Sequence, residues 1–302
     1  MRAATRAAPT KRGGYDSVRT KILFFVLLLI QFILMTTNAF AHGIVGKRFF
    51  PATLVVHDPF PADEATLLAP SYITDHDKKE LSLGFGIQKH LTQNIALSIE
   101  GEYRSINPNQ GDMGNGFANP EMTLTYAMFR SPEHEWIAST ALRFKPGGIG
   151  SHDVGAEEES HIVPSFAFGK AMGDLPDPLS SLKPLAFTGR VGLSVPIGKS
   201  DHHSEEHAST PEYGLAITYS IPYLQSLIKD VEIPRPFNRM FPIIELTYGG
   251  HHADQGAGFV SPGIIWAGKY VELGIEANIP LNDEAGDHIG VSGLVHLFLD
   301  AL

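Results

Sequence analysis

Histidine side chains are concentrated in polar segments that are also rich in carboxylates. The chain has 14 histidines and no cysteine. Neutral imidazole is a common ligand of Zn, Cu and Ni, and carboxylates can complete the coordination shell. The clusters are therefore interpreted as flexible, acidic surface loops, with weak binding of one of these metals as the alternative. The candidate metal ligands are His202, His203, His207, His251 and His252.

A second group of candidates consists of charged residues that alternate with apolar ones. Between residues 95 and 104, apolar and polar side chains fall on opposite faces of an extended segment. The same alternation recurs along the chain and places its charges on the polar face. These candidates for a lumen or selectivity role are Glu100, Glu102, Arg104, Glu121, Arg143, Lys145, Arg190, Glu245, Glu272 and Glu276.

Two hypotheses describe what these charges do inside a narrow sheet structure. Unpaired charges in a confined space are costly, so one hypothesis is that they pair across the lumen and hold its shape. The other is that Arg143, Lys145 and Arg190 select solutes by charge.

The elements that must position these residues read as long strands with a period of two. The strongest segments have about 9–13 residues, whereas ordinary strands average about 5–6 and tilted membrane-spanning strands need about 9–11. The pattern predicts a closed antiparallel transmembrane β-barrel of 12 strands, with a soluble sandwich as the alternative. The segments are 66–74, 81–88, 95–104, 120–128, 136–145, 161–171, 187–197, 213–221, 245–248, 260–269, 271–279 and 291–299.

The links between these segments alternate in length. Short links at 89–94, 130–135 and 268–270 alternate with longer polar ones such as 146–160 and 198–211. Bacterial outer-membrane barrels have short periplasmic turns and longer external loops. The alternation predicts that both ends of the barrel segment lie in the periplasm. Residues 172–184 and 225–239 are long for periplasmic turns.

The first 41 residues carry an export signal. Basic residues precede an apolar run at 22–35, and the small-residue pattern Ala39-Phe40-Ala41 follows it. This arrangement is typical of a cleaved signal peptide. The expected organisation is a signal peptide at 1–41, a periplasmic arm or plug at 42–65, and a barrel at 66–302. The expected location is the outer membrane of a Gram-negative bacterium.

Other function classes are disfavoured by what the chain lacks. It contains no G-x-S-x-G elbow, no P-loop and no G-x-G-x-x-G. We therefore expect no enzyme and no cofactor, apart from weakly bound Zn, Cu or Ni at the histidine-rich loops. A net charge of −10 argues against nucleic acid as a partner. Cleavage after Ala41 would leave His42 at the N-terminus, where its amine and imidazole could chelate copper, as in soluble periplasmic sandwiches.

Two motifs resemble one family of outer-membrane proteins. They are the glycine, Asn-Pro and alternating strand at 116–126, and the strand at 189–198 that runs into Pro-Ile-Gly. Both resemble the phenol-degradation meta-pathway type, over about residues 70–300. The resemblance implies a barrel that passes small aromatic compounds.

Three functions remain open at this point. The first is a passive channel for small solutes, aromatic or apolar ones included, whose partners are outer-membrane lipid, the solute and the barrel assembly machinery. The second is an outer-membrane metal-binding protein that uses the histidine-rich loops. The third is a soluble periplasmic β-sandwich with a copper site at the N-terminal His42.

Overall fold

The described residues of the computed structural model form a closed antiparallel β-barrel of twelve strands. They are residues 43–74, 78–109, 111–197, 209–249 and 256–299. A short hairpin, β1 (Ile44–Val45) and β2 (Arg48–Phe49), precedes the barrel. The strands that follow are β3 (Glu64–Thr74), β4 (Lys78–Thr92), β5 (Ile95–Pro108), β6 (Gly114–Phe117), β7 (Glu121–Ser131), β8 (Trp136–Lys145), β9 (Ser160–Ala171), β10 (Leu185–Ile197), β11 (Thr210–Tyr219), β12 (Met240–Tyr248), β13 (Gly258–Ala267), β14 (Val271–Pro280) and β15 (Gly290–Phe298).

The barrel closes where β15 pairs with β3, and β6 is a side branch on β5. All the other strands from β3 to β15 pair with their neighbours in chain order. We call the end where β3 begins and β15 ends the terminal end, and the opposite end the loop end. The predicted twelve-strand barrel is confirmed, and the soluble sandwich is wrong because the sheet closes on itself instead of packing on a second sheet.

The two faces of the barrel wall differ as the period of two requires. Ile275 is 56% exposed on the outside, whereas the next residue, Glu276, is 3% exposed on the inside. The same contrast recurs around the barrel, so the outer surface is a continuous apolar band. Its exposed members include Leu81, Phe85, Leu124, Tyr126, Leu142, Phe166, Val191, Tyr213, Ile244, Leu246 and Leu273.

The two long connections at the terminal end contain short helical turns. They lie at Asp177–Leu182, Ile221–Tyr223, Leu224–Ile228 and Phe237–Arg239. Within the described part of the chain, no helix has the length and hydropathy needed to cross a membrane. At the loop end, β6 and the turn at His152–Val154 fill the connections on either side of β7 and β8.

Residues 43–63, which we call the N-terminal segment, pack against the inner face of the barrel. Val45, Phe50 and Phe60 belong to one buried cluster with inward residues of β7 to β10, and Val56 belongs to another with residues of β11 to β13. The hairpin turns at Gly46, whose φ of +64° favours glycine. A Cβ at Gly46 would also overlap with the Pro132 carbonyl.

Candidate functional site

Two inward carboxylates bind the backbone of the N-terminal segment. Glu245 on β12 accepts hydrogen bonds from the backbone N–H groups of Leu54 at 2.7 Å, Val55 at 2.9 Å and Val56 at 2.8 Å. Glu272 on β14 accepts one from Ala52 at 3.1 Å. Both glutamates are 0% exposed. We call this inner face of β12 to β14 the anchoring wall.

A buried arginine fixes the same segment at the terminal end. The Arg48 guanidinium donates to the Pro184 carbonyl at 3.0 Å and to the Lys183 carbonyl at 2.5 Å, and it lies 3.4 Å from the Glu135 carboxylate. It also lies 3.7 Å from the centre of the Tyr223 ring. Burial lowers the pKa of Arg48, an effect that Glu135 opposes. The two long connections at this end and the short β7–β8 turn, which contains Glu135, therefore supply the partners of Arg48.

Further contacts fix the last residues of the N-terminal segment to other strands. Ser139 on β8 donates its hydroxyl to the Pro59 carbonyl at 2.5 Å. Gln88 on β4 donates its amide to the Phe60 carbonyl at 3.0 Å. Asp63 pairs with Lys89 and accepts the backbone N–H of His90 at 2.6 Å. The segment is thus held along its whole described length.

A cavity of 240 Å³ lies between residues 52–58 of this segment and the inner faces of several strands. We call the part of the wall that lines it, mainly on β4, β5 and β7, the open wall. Small side chains such as Gly84, Gly86 and Ser98 leave space there. The charged side chains around the cavity are Asp58, Glu64, Glu100, Glu102, Arg104, Glu121, Lys145 and Arg190.

Most of these wall charges are engaged with neighbours. Arg104 contacts Glu102 at 2.6 Å, and Lys145 contacts Glu157 at 3.3 Å. Glu100 accepts the hydroxyl of Ser98 at 3.0 Å. These contacts hold carboxylates and cations side by side along one water-accessible surface.

One charge pair joins strands that are not neighbours. Arg143 on β8 contacts Glu212 on β11 at 2.5 Å and Glu121 on β7 at 3.5 Å. Arg190 lies beside Arg143 and Glu212, lining both the 240 Å³ cavity and a smaller one of 50 Å³. Among the described residues, its Nε and one terminal nitrogen have no hydrogen-bond partner although both are buried. Because Arg190 lines the 240 Å³ cavity, its side chain is a cation beside the space that a solute would occupy.

The ten charged candidates thus fall into different environments. Glu245 and Glu272 bind backbone, while the remaining open-wall charges mostly pair with one another. Glu276 lies on the anchoring wall, and neither of its oxygens forms a hydrogen bond with the described residues. The role of each in selectivity stays a prediction.

The sequence reasoning missed several residues of this site. Arg48 stands outside any alternating pattern, so its burial could not be predicted from the sequence. Glu212 lies at the start of a recognised strand, and extending the alternation by one residue would have found it. His296 lines the cavity between Thr66, 3.2 Å from its Nδ1, and Glu64, 3.3 Å from its Nε2.

The histidine-rich candidates lie outside the described residues, and so does His42. This applies to His202, His203, His207, His251 and His252. Within the described ranges, no group of three or more His, Asp or Glu side chains is arranged to hold a metal ion. Metal binding therefore stays a prediction from the sequence.

Comparisons with known proteins address the fold. An outer membrane channel from Pseudomonas putida F1 shares 12% identity and a TM-score of 0.54, covering 83% of this chain and 99% of that one. The KdgM porin shares 9% identity and a TM-score of 0.44, and the match covers 76% of this chain and 97% of that one. The outer membrane phospholipase A from Escherichia coli shares 12% identity and a TM-score of 0.40, and the match covers 80% of this chain and 95% of that one. The chain matches no family model and no curated protein sequence.

The similarity to the Pseudomonas putida channel agrees with the barrel described above. At 12% identity it concerns the fold alone. The resemblance to the phenol-degradation family is not confirmed at that finer level.

Proposed function

We propose that this protein is an outer-membrane channel of a Gram-negative bacterium that passes small polar solutes passively. The observation that carries the proposal is the 240 Å³ cavity between the open wall and the N-terminal segment. Solutes would pass through this space while the segment stays bound to the anchoring wall.

The outer surface supports a membrane location. A contiguous apolar band of this extent is far larger than soluble monomers expose. In lipid every backbone polar group must be paired within the protein, and a closed barrel achieves this without a free edge. The short β7–β8 and β13–β14 turns at the terminal end resemble the periplasmic turns of such barrels and support an orientation with both ends of the barrel segment in the periplasm.

The cavity lining favours polar solutes over apolar ones. Carboxylates and guanidinium groups lie together in this lining, for example Glu102 with Arg104, and Glu121 and Arg190 line it as well. Such groups hold water tightly, and an apolar molecule would have to displace that water without replacing its hydrogen bonds. We therefore favour a polar solute over the aromatic compounds that the family resemblance implies.

Solute flux into vesicles that carry the exported protein tests this proposal. We expect erythritol to enter faster than phenol, after each rate is corrected for flux through protein-free vesicles. Faster corrected entry of phenol would contradict the polar preference. No protein-dependent entry of either solute would contradict the channel itself.

Flux into the same vesicles distinguishes the channel from the metal-binding alternative. Replacing His202, His203, His207, His251 and His252 with alanine should leave erythritol flux unchanged if the protein is a channel. If the loops are a metal site, the same replacement should abolish Zn or Cu binding in a titration of the purified barrel.

A further inference from the structure

A second, larger cavity lies at the terminal end of the barrel. Its volume is 540 Å³, within the range of about 300–1,000 Å³ typical of small-molecule sites. It is bounded by the β1–β2 hairpin, the 220–239 connection and the ends of β12, β13 and β15. It shares no lining residue with the 240 Å³ cavity.

The wall of this terminal cavity is mainly aromatic and aliphatic. Phe49 from the hairpin packs edge-on against Phe241 at 5.6 Å and Phe298 at 6.0 Å between ring centres. Ala267 and Leu227 extend the apolar surface. A ligand body that fills this space would gain free energy by leaving water.

The rim of the same cavity carries three cations, Lys47, Arg239 and Lys269, from three separate segments. No aspartate or glutamate is among the described residues that line it. Within the described ranges, none of the three cations forms an ion pair with a carboxylate; Lys269 contacts the Tyr270 hydroxyl at 2.6 Å. In a chain of net charge −10, this local excess of positive charge is unusual.

From this juxtaposition of an apolar cavity and a rim of cations with no carboxylate among its described lining residues, we propose that the terminal cavity binds a small organic acid. The ligand class is a monocarboxylate with an apolar body, either aliphatic or aromatic. The carboxylate would contact Lys47, Arg239 or Lys269, and the body would pack on Phe49, Phe241 and Phe298. This site goes beyond the proposed channel and does not depend on it.

Ligand-observed fluorine NMR on the exported full chain in phosphatidylcholine nanodiscs tests the site. The probes are para-fluorobenzoate and ω-fluorohexanoate, which distinguish an aromatic from an aliphatic body. The matched controls are para-fluorobenzyl alcohol and para-fluorobenzylamine, which keep the ring and change the charge. We expect saturable binding of at least one acid, and binding of the alcohol and amine that is weaker by about tenfold or more.

Two variants test whether the acid binds in this cavity. Lys47→Gln combined with Lys269→Gln should weaken acid binding by about tenfold, while Lys78→Gln on β4 should leave it unchanged. Ala267→Leu keeps every charge and should also weaken binding because it fills part of the cavity.

Three results would overturn the proposal. They are equal binding of the acid and the alcohol, acid binding that both cavity variants leave unchanged, or acid binding that Arg190→Ala removes while the rim variants do not. The last result would move the ligand to the 240 Å³ cavity. Loss of acid binding in the rim variants with unchanged vesicle flux would support the site and separate it from the channel.

Discussion

The anchoring wall and the open wall carry the same residue type in the same strand pattern, yet their glutamates do different things. Glu245 on the anchoring wall binds three backbone N–H groups of the N-terminal segment. Glu102 on the open wall binds the guanidinium of its strand neighbour Arg104. The difference lies in the observed partners, because Glu245 and Glu272 accept backbone N–H groups whereas Glu102 contacts a guanidinium.

This difference explains why the lumen is filled on one side and vacant on the other. A buried carboxylate without a cation needs other donors, and an extended backbone provides several in a row. The N-terminal segment supplies those donors. On the open wall several charges pair with neighbouring side chains, such as Glu102 with Arg104 and Lys145 with Glu157, and do not bind residues 52–56 of the segment.

The largest expected effect comes from removing the main anchor. Glu245→Ala leaves three backbone donors without a partner, and we expect it to weaken attachment of the segment by about 3–5 kcal/mol. Hydrogen exchange at the amides of Leu54, Val55 and Val56 measures this. Glu102→Ala on the open wall is the control and should leave those amides protected. Equal exchange in the two variants would remove the distinction between the walls.

On the outer face of the barrel, we expect a charged substitution to have the same effect behind either wall. Ile275→Arg behind the anchoring wall and Ile99→Arg behind the open wall each place a charge in lipid. Each should lower the free energy of unfolding by about 2–4 kcal/mol if the site lies near the bilayer midplane. Urea unfolding in lipid vesicles measures both. Tolerance of either substitution would show that this part of the surface does not face lipid.

Arg190 tests whether the charges beside the cavity act on solutes. Arg190→Ala removes one positive charge and should raise the permeability ratio of cations to anions by about fivefold. Reversal potentials in planar bilayers under a salt gradient measure this ratio. Arg190→Lys keeps the charge and should stay close to the parent protein. If Arg190→Ala leaves the permeability ratio of cations to anions unchanged, the permeation path does not pass Arg190.

The smallest change in stability is expected at Glu276. This carboxyl group is 3% exposed and forms no hydrogen bond with the described residues, so Glu276→Gln replaces a polar group that no observed contact stabilises with one of similar size. The free energy of unfolding should change by less than about 1 kcal/mol or should rise. A loss comparable to that of Glu245→Ala would show that Glu276 has a partner of its own.

The sequence predicted the barrel well because each strand buries one face and exposes the other. Alternation located every barrel strand, and even the weak segment at 260–269 became β13 (Gly258–Ala267). The segment at 245–248 covered only the last four residues of β12 (Met240–Tyr248). The short hairpin and β6 escaped prediction because two to four residues cannot establish a period of two.

The site was harder to predict because its contacts join distant parts of the chain. Alternation placed Glu245 and Glu272 on the inner face but could not show that their partners are backbone N–H groups about 190 to 220 residues away. The long connections at 172–184 and 225–239 looked anomalous for periplasmic turns. The structure gives the first of them a role, since Lys183 and Pro184 at its end accept hydrogen bonds from Arg48.

The central claim is that solutes pass while the N-terminal segment stays in the barrel. A disulfide can test it directly because the chain has no cysteine of its own. A Cβ built at Gly214 lies 3.5 Å from the Cβ of Val56, which is suitable for a disulfide. The variant carrying Val56→Cys and Gly214→Cys would lock the segment to β11. We predict the same single-channel conductance in planar bilayers before and after reduction. If the variant conducts no ions while the disulfide is intact and begins to conduct when the disulfide is reduced, the account is contradicted.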